Sequence, residues 1–357
     1  NFWLSGMQAH ENILDMLREK GAEAARKMHR GLILQPGAIG DCILTLPLAA
    51  FMKDALRLGG IDLLGHTEYI GVFPGRSCID GVRSIDSMDL HRLFARPEAF
   101  ELGDPDPLIT AFSDYAWIAT FLGESDSNFE QNLIFTANCS HSSEVLTLSL
   151  KPPKDCDEHV IDFHIRQLIT QSGLSIPSCP VQTDDCFIRA TQADIEAGRR
   201  LLTEAGIEPG SKLVAIHPGS GGPRKCWYIE NFLAIAAELA PEGVEVVFLL
   251  GPAESDRFGD TAIRSRISSV GRCLTGLSLA EVLALLSCVD GFIGNDSGIT
   301  HLAAAMGIRT LAVFGPTSAS VYRPVGPEVT VFSSSSSTFA QKPSARLQRK
   351  LLAALTA

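Results

Sequence analysis

Short apolar runs and stretches of helical period alternate along most of this chain. Runs at 31–35, 61–64, about 82–85, 212–217, 244–250, 289–293 and 309–314 are too short for helices, and most end in Gly, Pro, Ser, Asn or Asp. That pattern predicts buried parallel strands. Helical period predicts helices over 42–58, 159–174, 192–205, 229–240 and 279–286, with another opening near Leu302. Strand, glycine loop and helix in repeated order predict an α/β fold of doubly wound parallel sheets, whose ligands sit at the carboxyl ends of the strands.

The repeat divides into two Rossmann-like units, 30–180 and 181–335, joined by the proline-containing stretch 175–180. Ahead of them, 8–29 reads as a helix whose Arg18, Lys20, Arg26 and Lys27, with Arg30 just beyond, make it locally basic. Such a helix either packs on the first unit or lies on an anionic membrane surface. After them, 333–337 is a serine linker, and 345–355 a short basic amphipathic helix expected to pack back across both units. The stretch 87–158 gives little signal. Its Asp104-Pro105-Asp106 is expected to be a surface turn rather than a metal motif.

Candidate chemistry gathers where strands end. At 293–301 the chain reads Ile-Gly-Asn-Asp-Ser-Gly-Ile-Thr-His between a strand and a helix. This is either an ordinary capped turn or an anion site built from free N–H groups and the helix dipole. Pro36-Gly37-Ala38-Ile39-Gly40-Asp41 follows the first strand. Asp41 there either caps the helix or, ionised, accepts a proton from a substrate hydroxyl. The loop 218–227 combines Gly219, Ser220, Gly221 and Gly222 with Arg224 and Lys225. Flexible N–H donors with a counter-charge suit an anionic ligand. A mobile loop with solvated basic residues is the plainer alternative.

Composition narrows the class. The 357 residues are 45% hydrophobic and 20% charged, with 31 glycines, as in a two-domain globular protein. The net charge of −11 argues against nucleic acid as a partner but not against a phosphorylated ligand. Nine cysteines without a C-x-x-C pair suggest a reducing compartment and no structural zinc. No apolar run has the length of a membrane span, so a water-soluble, cytoplasmic protein is expected. Residues 1–6 precede Met7 and are set aside, and no signal peptide is read.

The motifs GAIGDCILTLPL (37–48), AIHPGSGGPRKCW (215–227), LLGPAE (249–254), LTGLSLAEVLALLSCVD (274–290), IGNDSGITHLAAAMG (293–307) and VFGPT (313–317) together resemble the ADP-heptose:lipopolysaccharide heptosyltransferase group, glycosyltransferase family 9. The resemblance covers the second unit almost end to end, and the first at its opening and near 159–173. It implies a GT-B fold, with an acceptor domain, a nucleotide-sugar donor domain and a cleft between them. It implies inverting, metal-independent transfer of a sugar, heptose from ADP-heptose, to a glycan or lipid-linked saccharide, with no cofactor beyond the donor. Asp41 would be the base, with Gly37 and Gly40 in its acceptor-side loop. Ser220, Gly221 and Lys225 would contact the diphosphate, and Lys225 would offset leaving-group charge. Glu254 would lie near the nucleoside, Asp296 would bind sugar hydroxyls, and Ser297 and Gly298 would hold the β-phosphate, with His301 facing the same site.

Three departures limit the carry-over. The 87–158 stretch does not follow the family pattern, Tyr228 replaces a proline after Trp227, and the serine run replaces a cysteine-containing tail. The rival expectations are a nucleotide-sugar epimerase or hydrolase of the same architecture, and a catalytically silent nucleotide-sugar-binding protein. A nicotinamide oxidoreductase is disfavoured because G-x-G-x-x-G is absent.

Overall fold

The computed structural model describes residues 29–173, 185–208, 210–251, 254 and 261–356. The expected helix at 8–29 and the linker at 175–180 lie outside the described residues.

The first domain runs β1 (Arg30–Gln35), α1 (Ile39–Ala55), β2 (Gly60–Gly65), α2 (Thr67–Ile70), β3 (Gly81–Ser84), α3 (Pro107–Phe112), β4 (Tyr115–Thr120), α4 (Asn128–Ala137), β5 (Glu144–Thr147) and α5 (Val160–Ser172). Its parallel sheet has the order β3-β2-β1-β4-β5. After α6 (Gln192–Glu204), the second domain runs β6 (Lys212–His217), α7 (Ile229–Leu239), β7 (Val244–Leu250), α8 (Thr261–Val270), β8 (Arg272–Thr275), α9 (Leu279–Leu286), β9 (Gly291–Asn295), α10 (Gly298–Ala305), β10 (Thr310–Phe314), α11 (Ala319–Tyr322), β11 (Val329–Ser333) and α12 (Ala345–Thr356). Its parallel sheet has the order β11-β10-β9-β6-β7-β8. In each sheet the chain leaves a central strand first toward one edge and later toward the other. That reversal opens the crevice in which doubly wound sheets hold ligands.

The expected strands are all present, and the central ones are apolar on both faces: Leu32, Ile33 and Leu34 of β1 are each fully buried. Four further strands, β4, β5, β8 and β11, were not anticipated. Two of them fall inside 87–158, which is therefore ordinary sheet and helix. Phe314 does not end the last strand of the domain, and Ser333 belongs to β11 rather than to a linker. Asp106 is not a surface turn either. It is 4% exposed, its side chain caps α3 by accepting from Leu108 N at 2.9 Å, and Arg92 grips it at 2.8 and 3.0 Å. The arginine fourteen residues upstream is what makes burial of that carboxylate affordable.

One buried apolar cluster runs from α1 and β2 through Ile188 to α9 and α10, so the two domains share a core. Arg76 and Asp194 tie them further through two hydrogen bonds of 2.6 and 2.7 Å. A second cluster lies on the other face of the second sheet. The C-terminal helix α12 buries Leu347, Leu351 and Leu355 there, and Arg309 holds its end through Ala354 O at 2.6 Å.

Candidate active site

Asp41 enters the site from the start of α1. The Ala38 N–H at the helix cap donates to Asp41 Oδ2 at 3.1 Å, the return half of a capping arrangement. Beneath it Gln35, wholly buried, accepts from Gly37 N at 2.9 Å and donates to Thr45 Oγ1 at 2.7 Å; Thr45 in turn donates to Asp41 O at 2.8 Å. A Cβ at Gly37 would stand 2.6 Å from the Cβ of Asp41, so only glycine lets the loop fold under the carboxylate. The neighbouring Cys42 thiol is pushed up to about 12 by burial and then by Asp41, and stays protonated and inert.

The facing wall is built on β9 and α10. Ser297 caps α10, and its hydroxyl accepts from Thr300 N. Among the described residues the N–H groups of Ser297, Gly298 and Ile299 make no hydrogen bond, and the first turn holds no acidic residue. That is the anion-binding end of a helix. Asn295, wholly buried at the end of β9, accepts from Trp227 N at 2.8 Å and donates to Pro218 O at 2.8 Å. It thereby ties both ends of the 218–227 loop to the strand. Ser220 donates to Asp296 O at 2.6 Å, and Lys225 Nζ donates to Asp296 Oδ2 at 2.7 Å.

Burial pushes the Asp296 carboxyl up, but His301 and Lys225 outweigh it and hold it at about 2. The His301 Nε2 lies 3.9 Å from Asp296 Oδ1, beyond hydrogen-bond reach, so it acts there as a nearby charge when protonated. The Lys225 side chain is 42% exposed against 8% for Asp296, so the ammonium can swing to a ligand while the carboxylate stays fixed. His217, behind the loop, donates from Nδ1 to Leu249 O, and burial holds its imidazole neutral.

The two walls enclose a cavity of about 350 Å³. Asp41 and Gly40 line it from the first domain, and Ser220, Gly221, Lys225, Asp296, Ser297, Gly298 and His301 from the second. Gly37 and Glu254 do not line it. Gly37 packs under Asp41. Glu254 is buried behind the 218–225 loop, pressed against Gly219 and accepting from Gly251 N at 3.0 Å. The wall also includes Leu44, Lys151, Thr317 and Tyr322, which the sequence did not single out as site residues. Lys151 follows the unrecognised strand β5 and Tyr322 ends the short helix α11, whereas Leu44 and Thr317 lay inside quoted motifs. Among the described residues no three His, Cys, Asp or Glu side chains gather as metal ligands.

Helices α1 and α10 meet at their starts. A Cβ on Gly298 would stand 2.7 Å from Ile39 Cβ and 3.2 Å from Gly40 N, so glycine at 298 lets the two walls close on each other.

The profile of glycosyltransferase family 9 (heptosyltransferase) matches residues 165–351. Lipopolysaccharide heptosyltransferase 3 of Escherichia coli is 30% identical over 162 residues, 44% of this chain and 47% of that protein. Lipopolysaccharide heptosyltransferase 2 of Salmonella typhimurium is 29% identical over 134 residues, 36% and 38% of the two. The matched region thus spans about half or less of those curated relatives. Among solved structures, E. coli ADP-heptose lps heptosyltransferase II superposes with a TM-score of 0.66, covering 92% of this chain and 97% of that one at 16% identity. A glycosyl transferase family 9 protein from Veillonella parvula does so with 0.65, at 87% of each chain and 16% identity. These likenesses establish the fold as GT-B, two parallel-sheet α/β domains facing a cleft. With just over half its residues matched by the profile, the chain belongs to glycosyltransferase family 9, the heptosyltransferases.

Proposed function

We propose that this chain transfers a sugar, heptose from ADP-heptose, to a hydroxyl of a glycan or lipopolysaccharide-type acceptor, with inversion and without a metal ion. The observation that carries the reading is one cavity with a carboxylate on one wall and, on the other, a cation and a helix start whose first N–H groups are free. Asp41 Oδ2 is engaged by Ala38 N–H, which leaves Oδ1 to take the acceptor proton. The acceptor oxygen attacks the anomeric carbon from the face opposite the diphosphate. The new C–O bond forms as the old one breaks, and the nucleoside diphosphate leaves with the electron pair. Lys225 and the N–H groups at 297–299 offset the charge that develops on it. Asp296 orients sugar hydroxyls. Glu254 supports the nucleoside end through the 218–225 loop.

The acceptor enters from the first domain, on the Asp41 side of the cleft. Among the described residues no helix is long and apolar enough to cross a membrane. We place the reaction in the cytoplasm, with the basic residues of 18–30 touching the inner membrane surface when the acceptor is lipid-linked. The test is a thermal-shift panel of ADP-, GDP-, UDP- and CDP-sugars, followed by product analysis with a lipopolysaccharide core acceptor. A donor at a hundredfold excess over its dissociation constant stabilises by about 2.7 kcal/mol. No shift with any of the four sinks the reading, and a shift without turnover leaves a silent binding protein.

A further inference from the structure

Taking the proposed transfer as its basis, we propose that Tyr322 contacts the acceptor, its phenol O–H donating to an acceptor oxygen beside the hydroxyl that Asp41 deprotonates. Tyr322 lines the cavity and is half-buried there. Two of the other side-chain donors on that wall are bound within the protein, and a third is assigned to the diphosphate. Ser220 is bound to Asp296 O, Ser297 pairs with Thr300, and Lys225, parked on Asp296 Oδ2, is the one that turns to the leaving group. The Tyr322 hydroxyl has no hydrogen-bond partner among the described residues.

Its surroundings select the kind of oxygen it can hold. Burial first, and then the Asp41 and Asp296 carboxylates, raise the phenol's pKa and keep it protonated and therefore a donor. A phosphate held against the Asp41 carboxylate would be repelled, whereas a neutral sugar hydroxyl would not. The diphosphate already has its own donors at 225 and 297–299. What remains for Tyr322 is the polyol on the other side of the cleft.

The backbone carries the same message. Tyr322 belongs by sequence to the second domain, at the end of α11, with its N–H bound to Ser318 O at 3.0 Å. The very next carbonyl, Arg323 O, lies 3.0 Å from His159 Nε2 in the first domain. The other nitrogen of His159 caps α5 by accepting from Ile161 N, so Nε2 carries the proton and donates. Burial keeps that imidazole neutral. The phenol is thus latched to the domain that carries Asp41, and the base and the hydroxyl donor keep their spacing.

The experiment is Tyr322→Phe, which removes one oxygen and keeps the ring. ADP affinity is measured by calorimetry, and transfer from ADP-heptose to a de-acylated lipopolysaccharide core oligosaccharide is followed kinetically. The expected result is unchanged ADP affinity with kcat/KM for the oligosaccharide reduced roughly 3- to 10-fold, the size of one lost neutral hydrogen bond. Unchanged kinetics would show the ring to be structural and overturn the inference alone. Weakened ADP binding would put the hydroxyl on the donor and overturn it as well. A wild-type chain that transfers nothing overturns the proposed function and this inference together.

Discussion

Lys225 and Asp296, 71 residues apart, hold each other through one 2.7 Å hydrogen bond, so the mobile cation of the site is parked on its most buried carboxylate. Replacing the lysine changes two things at once. In the proposed transfer the leaving diphosphate loses a counter-charge, and Asp296 keeps only His301 beside it. Lys225→Met is expected to lose on the order of 10²-fold in kcat. The low-pH limb of donor binding is expected to move upward, because the carboxyl that is held at about 2 loses a partner. A pH profile superposing on the wild type would disprove the pairing's role.

Asp41 is anchored through backbone contacts that an amide can keep. Asp41→Asn should therefore retain its melting temperature while turnover falls by roughly 10²- to 10⁴-fold. Near-normal activity in that variant removes Asp41 as the base.

Gly298→Ala probes the seam between the walls. The added methyl meets Ile39 and the Gly40 backbone, neither of which is a flexible side-chain end. Overpacking of this kind costs about 1–3 kcal/mol. Transfer, which needs both domains, should fall more than ADP affinity, which draws mainly on the second. Equal losses in the two measurements would show that the methyl blocks the phosphate rather than the seam.

His164 sets an acid limit on stability. Burial pushes its imidazole down to about 4 from the usual 6.5, while Nε2 donates to Leu150 O at 3.0 Å. The unfolded chain therefore takes up this proton first, and stability falls as pH drops from about 6.5 toward about 4, by on the order of 3 kcal/mol. His164→Gln, which offers a donor that does not titrate, should flatten denaturant midpoints across that window. Asp296 works in a lower window. Its folded value is depressed, so its contribution is present above about 4 and lost toward about 2. A His164→Gln curve as steep as the wild type's between pH 6.5 and 4 counts against the assignment.

What the sequence showed and what it hid follow one physical line. Loops 37–41, 218–227 and 293–301 were legible because caps, glycines and helix starts are local chemistry, written within a few residues. The strands β5 and β8 were not. Each is four residues long and lies at a sheet edge, too short for period or apolar content to stand out. Lys151 was missed with β5, which it follows. Gln35 and Asn295 were passed over for a different reason. Their work is to join segments, and for Asn295 the partners lie 68 and 77 residues away, which no local pattern records. Asp106 misled because its flanking prolines spoke of a surface while its partner, Arg92, lay out of view.

The seam at Gly40 and Gly298 brings two helix starts to one cavity, and they differ in a single respect. The start of α1 carries its own carboxylate, Asp41, in the first turn; that of α10 carries none. One electropositive end arrives already neutralised, and the other needs its anion delivered. The fold thereby gives the cleft a polarity before any substrate arrives, so a charged guest has only one orientation in which it completes the structure. In the proposed transfer that guest is the diphosphate of the donor, the counter-charge which the start of α10 lacks among its own residues.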